Sequence, residues 1–111
     1  MLVRLGMVRL TIALSETPSR SAPELLDALR FLALGTRVEP GCLACSAWID
    51  PDVVNYVEDW VSEADMRRRV RSDRFTSLLA IVESARDPRV RFDFVTVTRG
   101  LDYVAEVRNE T

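Results

Sequence analysis

Residues 39–63 read EPGCLACSAWIDPDVVNYVEDWVSE and decide the fold. Cys42 to Ile49 and Val54 to Val61 alternate along their length as strands do, and Asp50-Pro51-Asp52 between them is a strong turn sequence. The stretch therefore predicts a β-hairpin. A helical and a strand pattern lie on each side of it, so we expect the hairpin at the centre of a small sheet.

The segment before the hairpin predicts one strand and one helix. Met7–Ser15 has an aliphatic residue at every second position, the period of a half-buried strand. Ser21, Pro23 and Glu24 are typical of a helix N-terminus, where the acid also complements the helix dipole. The apolar stripe that follows predicts a helix ending near Thr36.

The segment after the hairpin carries two apolar sets on opposite sides of one helical projection. Met66 and Val70 belong to the first set, and Phe75 begins the second. A continuous helix cannot bury both sets. We therefore expect a short helix, a break at Ser72-Asp73, and a longer helix to about Ala85.

The C-terminal part predicts a last strand and a tail. Val90–Arg99 alternates as a fourth strand, and Leu101–Val107 is a short amphipathic segment without an internal partner. We expect this tail to dock on a neighbouring subunit. The chain is interpreted as a single domain, with a leader at 1–6, a core at 7–99 and the tail at 100–111.

The order β-α-β-β-α-β predicts a ferredoxin-like α+β fold, with one antiparallel sheet and both helices on one face. We expect Tyr56, Trp60 and either Trp48 or a Phe of the last strand on the bare sheet face. These side chains are too apolar to leave in water, so two sheets packed face to face predict a homodimer. Phe31 and Leu34 lie off the stripe of the first helix, and one of them is expected to meet the partner or the tail.

Composition excludes several classes of function. The net charge is −2 and no His is present, while all 15 basic residues are Arg. The chain thus lacks the basic surface of nucleic-acid-binding proteins, and also the commonest general base and metal ligand. Neither a signal peptide nor an apolar run of about 20 residues is found, so we expect a cytoplasmic protein without a membrane partner.

Two further patterns have plain structural interpretations. Cys42 and Cys45 are three residues apart in a strand and should point to opposite faces, so we interpret them as small apolar residues and expect no metal. A run of arginines follows the hairpin, with i,i+4 acids at Glu63 and Asp65 that pair with Arg67 and Arg69. We interpret this run as solvated surface.

Five short motifs together resemble one protein family. They are Glu39-Pro40-Gly41-Cys42-Leu43, the Asp50-Pro51 turn, Glu58-Asp59-Trp60 running into Ser62-Glu63-Ala64, Arg71-Ser72-Asp73, and Val90-Arg91-Phe92-Asp93. These motifs resemble the antibiotic biosynthesis monooxygenase superfamily, over residues 7 to about 99. The resemblance implies a dimeric α+β barrel. Relatives include cofactor-independent monooxygenases of anthrones and quinols, and haem-degrading enzymes.

The chain departs from these relatives in the second helix. Many of them carry a His in its first turns, and the haem degraders use one as the iron ligand. The matching region here is Met66-Arg67-Arg68-Arg69-Val70, with Arg where that His would stand. The departure argues against haem degradation, and no cofactor is expected.

The resemblance implies a site on the third strand. Trp60 matches a family Trp that often faces the substrate, where it would stack on a flat aromatic ring; dimer-core packing is its other interpretation. Tyr56 and Glu58 share its face, and a carboxylate among aromatic side chains becomes a stronger base. An ion pair of Glu58 with Arg9 or Arg99 is the structural alternative. The expected catalytic residues are Glu58 and Tyr56, and the expected substrate-binding residues are Trp60, Arg9 and Thr11.

The sequence thus supports two hypotheses about function. The first is a homodimeric, cofactor-independent monooxygenase that oxidises a small aromatic or quinol-like substrate with O₂. The second is a non-catalytic, small-molecule-binding or stress-related dimer on the same barrel. An open cavity lined by Glu58 and the polar face of the first strand would favour the enzyme, whereas their use in interface ion pairs around a filled core would favour a binding or purely structural role.

Overall fold

The computed structural model describes residues 6–95 and 101–110 and confirms the predicted α+β, ferredoxin-like architecture. Four antiparallel strands form one sheet, and helices pack on one face of it. The elements are β1 Met7–Ser15, α1 Ala22–Thr36, β2 Cys42–Ile49, β3 Val54–Trp60, α2 Glu63–Arg71, α3 Asp73–Glu83, β4 Arg86–Val95 and α4 Leu101–Arg108.

The strand order is β2-β3-β1-β4, so the hairpin supplies one edge strand and one central strand. Residues directly opposite each other in a sheet point to the same face. The buried side chains of β1 face three residues of β3: Val8 opposite Trp60, Leu10 opposite Glu58, and Ile12 opposite Tyr56. All six are buried, between the sheet and the helices.

The expectation that Tyr56 and Trp60 lie on the bare sheet face is therefore wrong. The aliphatic side chains of β1 face the helices. Because Tyr56 and Trp60 lie directly opposite residues of this aliphatic set, they face the helices as well. Trp48 does lie on the open face, opposite Asn55, and 40% of it is exposed.

The helix boundaries follow the sequence signals. Ser21 and Glu24 form a reciprocal capping box at the start of α1, which stabilises that helix end. The predicted break between α2 and α3 occurs at Ser72, which has extended backbone and donates its hydroxyl to the Arg69 carbonyl at 2.6 Å. The break lets Met66 and Phe75 both reach the core.

The turn before β2 is docked on the start of α2. Gly41 has a φ of +87°, and a Cβ at this position would lie 2.5 Å from Cγ of Asp65. Arg68 Nη2 donates to the carbonyl of Pro40 and to Asp65, both at 2.7 Å. The glycine of this turn therefore has a structural reason, since another residue would be strained and would clash with Asp65.

A β-bulge changes the interpretation of the two cysteines. The register slips between Cys42 and Ala44, so that Cys42 lies opposite Trp60 while Cys45 lies opposite Glu58. Both thiols therefore lie on the helix side of the sheet. The expectation of opposite faces is wrong, because the extra residue at Leu43 shifts the alternation of side chains along the strand by one position. Their interpretation as small core side chains holds, since Cys45 belongs to the core and Cys42 packs against it.

The last strand is only partly covered. Phe92 and Phe94 share the helix side of β4, and both are exposed. Residues 96–100, where the predicted fourth strand ends, lie outside the described part of the chain. The docking of α4 on a second subunit stays a prediction. Across the described residues, no helix combines the length and apolarity that a membrane crossing needs.

Candidate functional site

A buried polar cluster lies between the centre of the sheet and the helices, with Glu58 as its hub. The Glu58 carboxylate is inaccessible to solvent and accepts two hydrogen bonds from its own strand. The Tyr56 hydroxyl donates to Oε2 at 2.5 Å, and Trp60 Nε1 donates to Oε1 at 2.8 Å. The sequence prediction that these three side chains share one face is confirmed.

Arg69 of α2 completes the cluster from the helix side. Its Nη2 lies 2.8 Å from Glu58 Oε2, its Nε is within 3.3 Å of both carboxylate oxygens, and its side chain is 1% exposed. The guanidinium also stacks over Phe75, with 5.3 Å to the ring centre. Nη1 is 3.5 Å from a Glu39 oxygen and makes no hydrogen bond within the described residues.

The hydrogen-bond chain extends to a thiol. Cys45 donates to the Tyr56 hydroxyl oxygen at 3.2 Å. Burial raises the pKa of Cys45 to about 12. Burial, followed by the charge of Glu58, raises the pKa of Tyr56 above its usual range. Burial acts to lower the pKa of Arg69, but the Glu58 carboxylate outweighs it and raises that pKa above the ordinary value. At neutral pH the thiol, the phenol and the guanidinium therefore all keep their protons.

Arg9 and Thr11, the other two predicted site residues, lie on the opposite face of the sheet. Arg9 forms an ion pair with its cross-strand neighbour Asp59, at 2.7 Å between Nε and Oδ1. The sheet thus separates these two residues from Trp60 and Glu58. The partner of Glu58 is Arg69 rather than Arg9, and Arg99 lies outside the described residues.

Sequence reasoning missed Arg69 because it belongs to a run of arginines. The Glu63–Arg67 pair forms as predicted, at 3.0 Å, but Asp65 pairs with Arg68 instead of Arg69. The available signal was the i,i+3 spacing from the buried Met66, which places Arg69 on the inner side of α2.

A cleft of about 360 Å³ opens between α1 and the α2–α3 segment. Phe31 and Leu34 stand at it with 67% and 64% of their surfaces exposed. The full lining is Phe31, Leu32, Leu34, Gly35, Thr36, Arg69, Arg74 and Ser77. Arg69 is therefore shared between the cleft and the buried cluster, whereas Tyr56, Glu58 and Trp60 are not among the lining residues. We call this site the Arg69 cleft.

A second cleft, of about 270 Å³, lies between α2 and β4. Its lining combines apolar and charged side chains, namely Glu63, Met66, Arg67, Val70, Arg71, Phe92 and Phe94. It does not touch the Glu58 cluster. Among the residues that the structure describes, no group of three or more Cys, Asp or Glu side chains is placed to hold a metal ion.

Comparison with known proteins supports the fold, and it supports the family resemblance over residues 7–80, which leaves the Val90-Arg91-Phe92-Asp93 motif outside the match. The family model described as antibiotic biosynthesis monooxygenase matches residues 7–80. The chain belongs to this family. In this family member the match runs from β1 into α3 and includes every member of the Glu58 cluster, while β4 and α4 lie beyond it.

Solved structures with low sequence identity share the fold. A Bacteroides thetaiotaomicron protein of unknown function, described as a possible oxidoreductase, has a TM-score of 0.71 at 16% identity, covering 81% of this chain and 98% of its own. A Shewanella oneidensis protein reaches 0.71 at 18% identity, with 84% and 94% covered. An antibiotic biosynthesis monooxygenase reaches 0.63 at 24% identity, with 78% and 95% covered. No curated protein matches the chain significantly.

Proposed function

We propose that this protein is a monooxygenase that oxidises a small aromatic or quinol-like substrate with O₂, bound in the Arg69 cleft, without a metal or flavin. Family membership supports the reaction class. The observation that carries the choice of site is Arg69, a buried cation that lines a largely apolar cleft. An apolar pocket with a few polar groups is the usual form of a small-molecule site.

The proposed role of Arg69 is to stabilise the ionised substrate. A cation beside a phenol or enol favours its charged form, so the hydroxyl loses its proton to solvent more readily. The anion then supplies an electron to O₂, and the radical pair combines at carbon. For an anthrone-type methylene, the carbon loses two hydrogens and gains one oxygen atom from O₂, while the other oxygen leaves as water.

In this proposal the buried cluster positions the cation. Glu58 fixes the guanidinium through Nε and Nη2, and Tyr56 with Trp60 fixes Glu58. The predicted catalytic pair, Glu58 and Tyr56, thus acts through Arg69 instead of touching the substrate.

We further propose that the protein is a homodimer, built on the open sheet face. Trp48 is exposed there, and Thr11 and Val57 lie half-buried opposite each other on the same face. In this arrangement Arg9 and Thr11 serve the subunit interface and not the substrate.

The second candidate function, a non-catalytic binding protein, is favoured by one specific observation. Both Glu58 oxygens are already used: Oε1 accepts from Trp60 and Arg69, and Oε2 accepts from Tyr56 and Arg69. The cluster therefore offers no free carboxylate as a general base. A binding protein needs none.

Oxygen uptake over a panel of anthrones and hydroquinones separates the two candidates. We expect uptake with the wild-type protein and with Arg67→Met, and none with Arg69→Met. Because Arg69→Met leaves Glu58 buried without its partner, the double variant Glu58→Gln/Arg69→Met serves as the folded, uncharged comparison. Wild-type protein that binds these compounds without oxygen uptake would support the second candidate.

A further inference from the structure

We propose that the Arg69 cleft selects an aromatic anion, a fused-ring compound with a carboxylate group, and that Arg74 recognises the carboxylate. The inference rests on the proposed function only in taking this cleft as the substrate site. It adds the chemical class of the ligand and a specificity-determining residue.

The charge of the cleft is the first reason. Its described lining contains two arginines, Arg69 and Arg74, and no acid. The guanidinium of Arg69 is held between Glu58 and Glu39 on its inner side, so much of its charge is already offset. Arg74, in contrast, makes no ion pair with any residue that the structure describes. Of the two arginines that line the cleft, Arg74 is therefore the one whose charge the described residues offset least.

The placement of Arg74 is the second reason. Its Nη1 donates to the carbonyl of Gly35 at 3.2 Å, across the gap between α3 and α1. A Cβ on residue 35 would lie 2.9 Å from this nitrogen, so the glycine allows the guanidinium to lie against α1. An arginine has five N–H donors, and this bond uses one of them. The remaining donors suit the two-pronged contact that carboxylates make with arginine.

The shape and polarity of the walls are the third reason. Phe31, Leu32 and Leu34 supply apolar surface, and Thr36 and Ser77 are the neutral polar residues of the lining. A volume of about 360 Å³ is at the small end of ligand sites, which suits a compound of two fused rings. A ligand whose ring packs against α1 and whose carboxylate binds Arg74 contacts both the apolar and the charged residues of the lining.

Equilibrium binding of 2-naphthoate and of its neutral analogue 2-naphthamide, by calorimetry without O₂, tests the inference. We expect the wild-type protein to bind the carboxylate at least about tenfold more tightly than the amide, the range of one charge-assisted hydrogen-bond pair. Arg74→Gln should remove this preference. Gly35→Ala retains the charge but displaces the guanidinium, and should weaken the preference.

Arg67→Gln is the matched control, because Arg67 is an exposed arginine that lines the other cleft. It should leave the preference unchanged. Equal affinities for carboxylate and amide, or no binding of either, would overturn the inference. A preference lost in Arg67→Gln and kept in Arg74→Gln would place the anion between α2 and β4, and would overturn it as well.

The binding result is independent of turnover. Naphthoate selectivity without oxygen uptake on any substrate would refute the proposed monooxygenase and leave the anion site standing. Oxygen uptake that depends on Arg69, together with no preference for naphthoate, would refute the anion site and leave the monooxygenase standing.

Discussion

Arg69 and Glu58 form an ion pair from which solvent is excluded, with 2.8 Å between Nη2 and Oε2. The pair joins α2 to the centre of β3 and is completed by donors from Tyr56 and Trp60. Buried charges are tolerated only when they are paired and hydrogen-bonded. The pair thus fixes the position of the guanidinium that lines the cleft.

Removing one partner of this pair should cost more stability than removing both. We expect Arg69→Met to lower the free energy of unfolding by about 3–5 kcal/mol, because it leaves a buried carboxylate unpaired. Glu58→Gln/Arg69→Met should recover a large part of that loss. Urea unfolding of the single and double variants measures the coupling. Losses that simply add would show that the two side chains do not depend on each other.

Gly41→Ala should be strongly destabilising. The left-handed backbone at Gly41 costs an L-residue about 1–2 kcal/mol, and the new Cβ would also clash with Asp65. Gly6→Ala is the control, because no described residue comes within 4 Å of where its Cβ would lie. Thermal unfolding should show a lower midpoint for Gly41→Ala alone. Equal midpoints would mean that the turn does not dock on α2.

Alkaline pH should destabilise the protein partly through Cys45. Burial raises the pKa of this thiol from about 9 to about 12, so the folded state retains a proton that the unfolded chain releases. The stabilising contribution is fully present below about pH 9 and is lost as pH rises toward about 12. Each such proton contributes a slope of about 1.4 kcal/mol per pH unit.

Cys45→Ala should therefore flatten the fall in stability over this alkaline range. Urea unfolding at several pH values, with Cys42→Ala in parallel, measures the slope. Burial also raises the pKa of Tyr56, so Tyr56 still contributes to the fall in stability with pH in both variants. If the slope for Cys45→Ala equals that of the wild-type protein, the Cys45 thiol does not contribute to the pH dependence of stability, and the prediction is wrong.

The open sheet face should form the subunit interface. Trp48→Asp places a charge on this face and should convert a dimer into a monomer, whereas the same change at the exposed Leu79 should not. Sedimentation measures the mass directly. A wild-type mass of 12.6 kDa, that of one chain, would contradict the homodimer.

The architecture was predictable because its signals are local. Three signals each depend on neighbouring residues. They are the alternation in Met7–Ser15, the Asp-Pro turn of the hairpin, and the two out-of-phase apolar sets on either side of Ser72. Which face of β3 packs against the helices was not predictable in this way. Both faces of Val54–Trp60 carry apolar residues, so only the register with β1 decides which side meets the helices.

The candidate site was predictable in part. Tyr56, Glu58 and Trp60 come together because a strand places alternate residues on one face. Arg69 was missed because a charged run normally faces solvent, and its partner belongs to another element of the fold. The shared face of Cys42 and Cys45 depends on a bulge that no local sequence signal marked.

Incorporation of isotopically labelled O₂ into product measures whether the Arg69 cleft is a monooxygenase site. With an anthrone or hydroquinone that the protein oxidises, the wild-type chain should place one labelled oxygen atom in the product. Arg67→Met should do the same, and Glu58→Gln/Arg69→Met should place none there. Product from the double variant at the wild-type rate, or no labelled product from the wild-type protein on any compound of the panel, would contradict a monooxygenase site at Arg69.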